Sequence, residues 1–222
     1  MLFGTEVFEI QILKSVHSAL ECGFMDFIMP FFSALGNGGM LWIAIAVILI
    51  FTKKRKISSP HHRLTAEPLL KEKPFKSAVS GLPLEGKLSS RARLMRWKNF
   101  INASKYRRCG ITILVCMLIG LLIGNLTLKP LVARPRPCWI DTEFPLLISN
   151  PTDFSHPSGH TLSSFIAAFV MLKTDKRLGI PGIIAAGIIA FSRLYLFVHF
   201  PTDILAGILL AWLITLPLKK LH

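Results

Sequence analysis

Five long apolar runs leave this 222-residue chain few ways to fold. Each run carries one charged residue or none, and the runs span residues 38–51, 110–128, 161–172, 178–198 and 203–218. Some approach the roughly 20 residues that a helix needs to cross a bilayer, while the shorter ones need flanking residues to complete a span. As buried helices of a soluble protein, five such runs would leave too little polar chain to cover them. The sequence therefore predicts an all-α polytopic membrane bundle of about five to six spans.

The first segment, residues 1–52, is expected to hold an amphipathic lead-in helix and the first one or two spans. An apolar stripe recurs there at helical spacing, on Leu13, Val16, Leu20 and Phe24. Residues 1–22 contain three glutamates and no basic segment ahead of the apolar positions, so a cleavable signal peptide is not expected. The stretch 24–35 is apolar enough for a short first span, broken by Pro30.

Positive charge is concentrated in residues 53–108, which hold 16 Lys and Arg against 3 Glu. The rest of the chain holds 10 basic and 9 acidic residues. Because cytoplasmic loops carry the excess of Lys and Arg in membrane proteins, this segment is predicted to lie inside the cell. The basic segment 173–177 then also falls inside, and the connections 137–157 and 199–202 fall outside.

We interpret residues 53–109 as a basic cytoplasmic insertion that lies on anionic lipid of the inner leaflet. Residues 58–87 are rich in Pro, Ser and Gly and are expected to be flexible, whereas residues 88–104 are expected to form a basic amphipathic helix. A basic block of this size also suits nucleic acid, but cytoplasmic retention explains it with fewer assumptions, so no nucleic-acid partner is predicted. Residues 110–222 are the predicted membrane core. The sequence sets no oligomeric state.

Polar residues at the outer ends of the spans are the candidate functional groups, because ionisable side chains within a membrane are costly. They form three clusters, which the predicted topology brings to one face of the membrane. The clusters are Lys129, Arg134 and Arg136; Ser158, Gly159 and His160; and Arg193, His199 and Asp203. Four cations on the outer side run against the positive-inside rule, so a role as membrane anchors does not explain them.

The chemistry of these clusters converges on an anion. Lys129, Arg136 and Arg193 supply three positive charges, and the arginine fork matches the oxygens of a phosphate. Ser158 and Gly159 stand where a helix begins, and a helix N-terminus offers free N–H groups to a phosphate. Because glycine has no side chain, it also lets the backbone approach the ligand closely. The sequence therefore predicts a phosphate site.

Two histidines supply groups for phosphoryl transfer. A carboxylate at Asp203, four residues after His199, can hold one ring nitrogen and leave the other free to attack. His160, just inside the neighbouring helix, can protonate the leaving group. The side-chain cations supply the electrostatic stabilisation, and the four cysteines lack metal-ligand spacing, so neither a metal nor a cofactor is predicted. The alternative is that these histidines are packing residues at helix ends.

Three spaced motifs resemble the signature of the type 2 phosphatidic acid phosphatase superfamily. They are Lys129-x6-Arg136-Pro137, Pro157-Ser158-Gly159-His160 and Ser192-Arg193-x5-His199-x3-Asp203. The resemblance covers residues 110–215 in detail, and residues 29–39 are also similar to small bacterial members. These members include undecaprenyl-diphosphate phosphatases and phosphatidylglycerophosphate phosphatases. Vanadium haloperoxidases share the site, but five apolar runs argue against that soluble branch.

The resemblance implies a helical membrane bundle similar to the acid phosphatase/vanadium haloperoxidase core, with an outward-facing site. It implies a phosphohistidine intermediate, with His199 as nucleophile, Asp203 as its orienting partner and His160 as general acid. The phosphate would be held by Lys129, Arg136, Ser158, Gly159 and Arg193. Two residues fall outside the signature: Arg134 is expected to assist a diphosphate or a head group, and His156 to line the mouth of the site.

The function implied is hydrolysis of a lipid phosphate at the outer face of a bacterial plasma membrane, with undecaprenyl diphosphate as the favoured substrate. Phosphatidylglycerophosphate and phosphatidate are the alternative substrates. A non-catalytic transporter or binding protein for an anionic lipid is the alternative of another class, although an oriented nucleophile favours catalysis. The insertion at 53–109 departs from small bacterial members, in which this loop is short, but it lies on the face opposite the site.

Overall fold

The computed structural model describes residues 5–51 and 104–218, and these residues form helices and connecting turns without a strand among them. Nearly all of them belong to one compact unit formed by Met1–Thr52 and Lys105–His222. The all-α prediction is confirmed. The predicted insertion lies outside the described residues as far as residue 103, and so does nearly all of the helix predicted at 88–104.

The described helices are numbered here in chain order. In order they are α1 (Glu6–Leu20), α2 (Gly23–Leu35), a 3-10 turn (Asn37–Gly39), α3 (Met40–Ile50), α4 (104–120), a π-helical stretch (Leu121–Leu128), α5 (Lys129–Val132), α6 (Pro137–Ile140), α7 (Gly159–Thr174), α8 (Lys176–Tyr195) and α9 (Pro201–Thr215). Each of the five apolar runs falls mainly within these helices, because helix formation satisfies the backbone polar groups that lipid cannot.

Two helical segments among the described residues are long and apolar enough to cross a membrane, Ser104–Ile140 and Lys176–Tyr195. The pair Gly23–Leu35 and Asn37–Ile50 passes the same test together, with a bend of 48° at its break, and would be a third. Large apolar side chains lie exposed along one face of α4 and the π-helical stretch, on Val115, Leu118, Leu122 and Leu126. Such a surface suits lipid, and the chain is an integral membrane protein. The count of five to six spans stays a prediction.

The break after α2 lies at glycines. Gly38 and Gly39 have φ values of 57° and 69°, in the left-handed region that favours glycine. The helix continues through Pro30, where a break was expected, because proline removes one hydrogen bond but keeps a helical φ. The resulting bend directs Asn37 towards the start of α7, where its amide contacts His160.

Helices α7 and α8 form an antiparallel hairpin that carries much of the core. Ser158 is the N-cap of α7, and the side chain of Asp175 accepts a hydrogen bond from the backbone of Arg177 to cap α8 (2.9 Å). The fully buried apolar residues of this hairpin include Ile166, Ala167, Val170 and Ala186. Helix α9 packs on α7, and α2 packs on α8. The hairpin therefore holds the beginning of α7 and the end of α8 at fixed positions.

The inward face of α1 differs from the predicted stripe. Leu13 is buried as expected, but Leu20 is 39% exposed and Phe24, in α2, is 68% exposed. The buried face of α1 is instead formed by Glu9, Leu13 and His17. The two polar residues are tolerated there because they have partners: Glu9 binds the first turn of α9, and Nδ1 of His17 lies 3.1 Å from the carbonyl oxygen of Tyr195.

Candidate active site

A cavity of about 720 Å³ lies where α2, the π-helical stretch, α7 and the end of α8 come together. Six of the sequence-predicted site residues line it: Lys129, Arg136, Gly159, His160, Arg193 and His199. Apolar side chains of α3, α4 and α7 also line the cavity, namely Ile43, Leu114, Met117, Leu118 and Ile166. The cavity thus combines a cluster of cations and histidines with surface that suits hydrocarbon.

His199 lies in the turn between α8 and α9 and is 1% exposed. Its Nε2 is 3.3 Å from Nη1 of Arg136, and its Nδ1 is 3.3 Å from Oγ of Ser155. Because an arginine nitrogen can only donate, Nε2 has to accept, which places the ring proton on Nδ1. The nitrogen with a free electron pair therefore points to the cation cluster that lines the cavity.

The surroundings of His199 favour the neutral form of its imidazole. Burial lowers its pKa to about 3, and the positive charges of Arg136 and Arg193 act in the same direction. The neighbouring carboxylate of Asp203 opposes the shift without cancelling it. A neutral ring is the form that can act as a nucleophile.

Asp203 is fully buried and is held by several donors. Its Oδ1 accepts from Nη1 of Arg134 (2.8 Å) and lies 3.1 Å from Nδ1 of His156. Its Oδ2 accepts from the backbone N–H of Phe200 (2.9 Å) and from the hydroxyl of Ser155 (2.5 Å). The distance from Oδ2 to Nδ1 of His199 is 3.6 Å, which is longer than a hydrogen bond.

Asp203 is thus linked to His199 through the hydroxyl of Ser155, where the sequence suggested a direct contact. Ser155 donates to the carboxylate and accepts from Nδ1–H of His199. His156, expected at the mouth of the site, is placed against the same carboxylate. The carboxylate is therefore fixed by its surroundings, and Ser155 transmits its orientation and charge to the imidazole.

The cations of the cavity are engaged with protein groups. Lys129 forms an ion pair with Oδ2 of Asp153, and Nη2 of Arg136 donates to Oδ1 of the same residue (2.6 Å). Arg193 donates to the hydroxyl of Ser33 through Nη1. Its Nε is buried and has no hydrogen-bond partner among the described residues. All three cations are at most 6% exposed, so their charges act through protein and cavity rather than through bulk water.

His160 lies in the first turn of α7 and faces the same cavity. Its Nε2 donates to Oδ1 of Asn37, in the turn after α2, at 2.9 Å. The backbone of Gly36 approaches the ring so closely that a Cβ there would lie 2.7 Å from Cδ2 of His160. This close packing restricts the movement of the His160 ring, and the start of α7 places the ring on the wall of the cavity.

The beginning of α7 carries Ser158 and Gly159, the residues of the predicted phosphate seat. The hydroxyl of Ser158 accepts from Oγ1 of Thr161 at 3.0 Å and caps the helix. Gly159 lines the cavity beside Asn125, and a Cβ at Gly159 would lie 3.0 Å from Oδ1 of that amide. A larger residue would therefore crowd both the amide and the approach to the helix N-terminus.

Arg134 is placed away from the expected role with a diphosphate or head group. Its guanidinium stacks on the ring of Phe200 at 3.9 Å and donates to Glu9 (2.9 Å) and Thr202 (2.6 Å) as well as to Asp203. The left-handed backbone of Ala133 (φ 47°) ends α5 just before it. Arg134 and Arg136 are close in sequence, and the sequence gives no sign that their side chains have different surroundings.

Several residues of the site were missed by sequence reasoning, namely Ser33, Asn37, Asn125, Asp153 and Ser155. Asn125 had a signal, since it is the polar amide within the apolar run 110–128. Asp153 had a weaker signal, because it is a carboxylate close to a cation cluster in the loop that is predicted to lie outside. The two serines and Asn37 are ordinary loop or helix residues in sequence, and only the fold brings them to the site.

Comparisons with known proteins identify the family of this chain. A family model described as the PAP2 superfamily matches residues 110–222. An undecaprenyl-diphosphatase of Sulfolobus acidocaldarius is 37% identical over 126 residues, which cover 52% of this chain and 61% of that protein. Undecaprenyl-diphosphatase BcrC of Bacillus subtilis is 31% identical over 93 residues, which cover 42% of this chain and 48% of that protein. The matches therefore span less than two thirds of these relatives.

Solved structures show the same fold over most of the chain. A transmembrane PAP2 type phosphatidylglycerolphosphate phosphatase from Bacillus subtilis has a TM-score of 0.57 at 20% identity, covering 96% of this chain and 85% of that one. LpxE of Aquifex aeolicus has a TM-score of 0.60 at 17% identity, covering 93% and 91%. At these identities the likeness shows the fold alone.

Proposed function

We propose that this chain, which belongs to the PAP2 superfamily, is a membrane phosphatase that hydrolyses the phosphate or diphosphate of a lipid through a phosphohistidine at His199. The observation that carries the proposal is the setting of that imidazole. It is neutral, its proton is on Nδ1, and its Nε2 points to the cations that line the cavity. A packing histidine needs neither an oriented carboxylate nor a buried arginine beside the nitrogen that carries its free electron pair.

In the proposed reaction, Nε2 of His199 attacks the phosphorus and the bond to the leaving oxygen breaks. Lys129, Arg136 and Arg193 stabilise the charge on the remaining phosphate oxygens. His160 donates a proton to the leaving oxygen. Water then gives a proton back to His160 and attacks the phosphorus, the bond from phosphorus to Nε2 breaks, inorganic phosphate leaves, and the His199 ring returns to its neutral form. Ser155 and Asp203 stabilise the positive charge that the ring carries while it is phosphorylated.

The lining of the cavity supports a lipid substrate, because cations and histidines share it with apolar side chains from α3, α4 and α7. The curated relatives are named undecaprenyl-diphosphatases, which favours undecaprenyl diphosphate. The positive-inside rule supports a site at the outer face of the plasma membrane, with the basic segment 53–108 on anionic lipid inside. Phosphatidylglycerophosphate and phosphatidate remain the alternative substrates.

The test is release of inorganic phosphate by purified protein in detergent with EDTA present. Undecaprenyl diphosphate, phosphatidylglycerophosphate and phosphatidate are supplied in parallel. We expect release in EDTA from wild type and from a Gly187→Ala control, since a Cβ at Gly187 meets no atom within 4 Å. We expect none from His199→Ala, and the substrate with the highest kcat/KM identifies the lipid.

A second measurement separates catalysis from transport or binding. Quenching of wild-type protein and ³²P-labelled substrate in alkaline SDS should leave protein-bound label that is stable in alkali and lost in acid, as a phosphohistidine is. Absence of phosphate release from all three lipids, with retained lipid binding, would instead favour a transporter or binding protein. Release that EDTA abolishes would overturn the metal-free mechanism.

A further inference from the structure

One carboxylate pairs with two of the cations that are proposed to bind phosphate. The two oxygens of Asp153 are held by different cations: Oδ2 by Lys129 and Oδ1 by Nη2 of Arg136. Nε of Arg136 donates to the backbone oxygen of Asp153 at 2.6 Å. A phosphate would be expected to bind in the same way, with one oxygen held by the lysine and another held by the arginine.

Arg136 has a protein partner at each of its three nitrogens. Nη1 donates to the carbonyl of Val198 (2.7 Å) and lies against Nε2 of His199, while Nε and Nη2 both serve Asp153. An incoming phosphate that is to be gripped by Nη2 must therefore replace the Asp153 carboxylate. The same holds for the bond from Lys129.

Asp153 is placed where such a replacement is feasible. Its side chain is 57% exposed, whereas those of Lys129 and Arg136 are 8% and 2% exposed. It lies in the loop between α6 and α7, outside any regular helix. The carboxylate is ionised: burial alone would raise its pKa, but the bond from Lys129 and the charge of Arg136 lower the pKa to about 2. The cations are fixed in the protein, and the anion is the part that can move into water.

We propose that Asp153 determines how much negative charge a substrate must carry to bind, because it holds Lys129 and Arg136 until a doubly charged phosphate displaces it. This specificity role rests on the proposed phosphatase function. A phosphodiester carries one negative charge, so it gains little by replacing a carboxylate of equal charge. A terminal phosphate or diphosphate carries two or more negative charges, so the cations attract it more strongly than the singly charged carboxylate that it replaces. Asp153 therefore excludes the phosphodiester head groups of ordinary bilayer lipids, which surround the site in large excess.

The experiment compares two small anions that do not turn over, inorganic phosphate and dimethyl phosphate, as ligands of the full-length protein in a neutral detergent at pH 8. Binding is measured by ³¹P NMR line broadening and, independently, as inhibition of lipid-phosphate hydrolysis. In wild type we expect phosphate to bind at least tenfold more tightly than dimethyl phosphate. In Asp153→Asn we expect dimethyl phosphate to bind at least tenfold more tightly than in wild type, so that the preference for phosphate shrinks.

Two variants control for charge and for folding. Asp141→Asn removes another carboxylate of the same outer loop, one that pairs with Lys14, and should leave both affinities unchanged. Asp153→Glu keeps the charge and should retain the preference for phosphate. Thermal unfolding in detergent shows whether each variant is folded, and Asp153→Ser replaces Asp153→Asn if the asparagine variant is not.

The two hypotheses fail in different ways. Tighter binding of dimethyl phosphate to Asp153→Asn without hydrolysis of any lipid phosphate would retain the charge filter and overturn the proposed catalysis. Hydrolysis by wild type with the same phosphate preference in Asp153→Asn, or weaker binding of both anions, would overturn the charge filter alone. In that case Asp153 merely positions Lys129 and Arg136.

Discussion

Nδ1 of His199 and Oδ2 of Asp203 lie 3.6 Å apart, and the hydroxyl of Ser155 is within hydrogen-bonding reach of both. The carboxylate therefore acts on the ring through a serine. We expect Ser155→Ala to lower kcat by about 10- to 100-fold with little change in KM, because one lost buried hydrogen bond costs ~1–3 kcal/mol. The measurement is steady-state phosphate release from the best substrate.

The matched control for this variant is Thr174→Val, which removes a buried hydroxyl at the opposite end of α7, bonded to the carbonyl of Val170. It should leave kcat unchanged. A Ser155→Ala protein with wild-type kcat would show that the ring is oriented by its other contacts. A rise in KM with unchanged kcat would assign the serine to substrate binding instead.

The low pKa of His199 predicts how stability depends on pH. Its folded-state pKa is about 3, against about 6.5 in an unfolded chain. Between these values the unfolded state binds the additional proton, so the free energy of unfolding falls as the pH is lowered from 6.5 towards 3. The slope from this residue is at most about 1.4 kcal/mol per pH unit.

The measurement is the Tm in detergent at pH 7.5, 6.0 and 5.0 for wild type and His199→Gln. We expect the loss of Tm between pH 7.5 and 5.0 to be smaller in the variant. In a complementary ¹⁵N-histidine NMR titration, the resonance missing from His199→Gln should keep its neutral chemical shift from pH 8 to pH 5. A titration midpoint near 6.5 would contradict the buried, neutral ring.

The close approach of Gly36 to His160 predicts that a single methyl group at residue 36 displaces His160, the proposed general acid. A Cβ there would lie 2.7 Å from Cδ2 of His160 and 2.9 Å from Cγ2 of Ile189. We expect Gly36→Ala to lower kcat by about tenfold or more, because a displaced catalytic group loses its alignment with the leaving oxygen. Gly187→Ala, which meets no atom within 4 Å, should keep wild-type kcat in the same assay. Equal activity of both variants would show that His160 tolerates the shift.

The placement of Arg134 predicts a role in stability rather than in substrate choice. Arg134→Lys keeps the charge but loses the fork that joins Glu9, Thr202 and Asp203. We expect a loss of about 1–3 kcal/mol in the free energy of unfolding, since charge-assisted hydrogen bonds are broken in a buried site. The ratio of kcat/KM for a lipid diphosphate to that for a lipid monophosphate should be unchanged. A selective loss of diphosphate hydrolysis would return Arg134 to the expected role beside the substrate.

The position of the helices could be predicted from the sequence because lipid exposure demands long uninterrupted apolar runs. The residues lining the cavity could be predicted in part because charged side chains at the ends of such runs are rare. Lys129, Arg193 and His199 were therefore visible in the sequence alone. Their predicted convergence on one cavity is what the structure shows.

Other features depended on contacts between distant parts of the chain. The buried face of α1 carries Glu9 and His17, whose partners lie in the turn and helices at the other end of the chain. A hydrophobic pattern cannot predict a buried carboxylate, because its burial depends on donors that the pattern does not show. The bridging position of Ser155 escapes prediction for the same reason.

The contact between Glu9 and the first turn of α9 has a consequence for biosynthesis. Oε2 of Glu9 accepts hydrogen bonds from the backbone N–H and the hydroxyl of Thr202, across 193 positions of chain. Glu9 therefore leaves the ribosome long before Thr202, and the contact can form only after the 193 positions between them have been made. A nascent chain that has already inserted most of its helices still lacks Thr202 and Asp203, so Arg134 has neither of these partners. The buried network that joins Glu9, Arg134, Thr202 and Asp203 is thus completed only after the first turn of α9 has been made, and a chain that terminates before Thr202 lacks it.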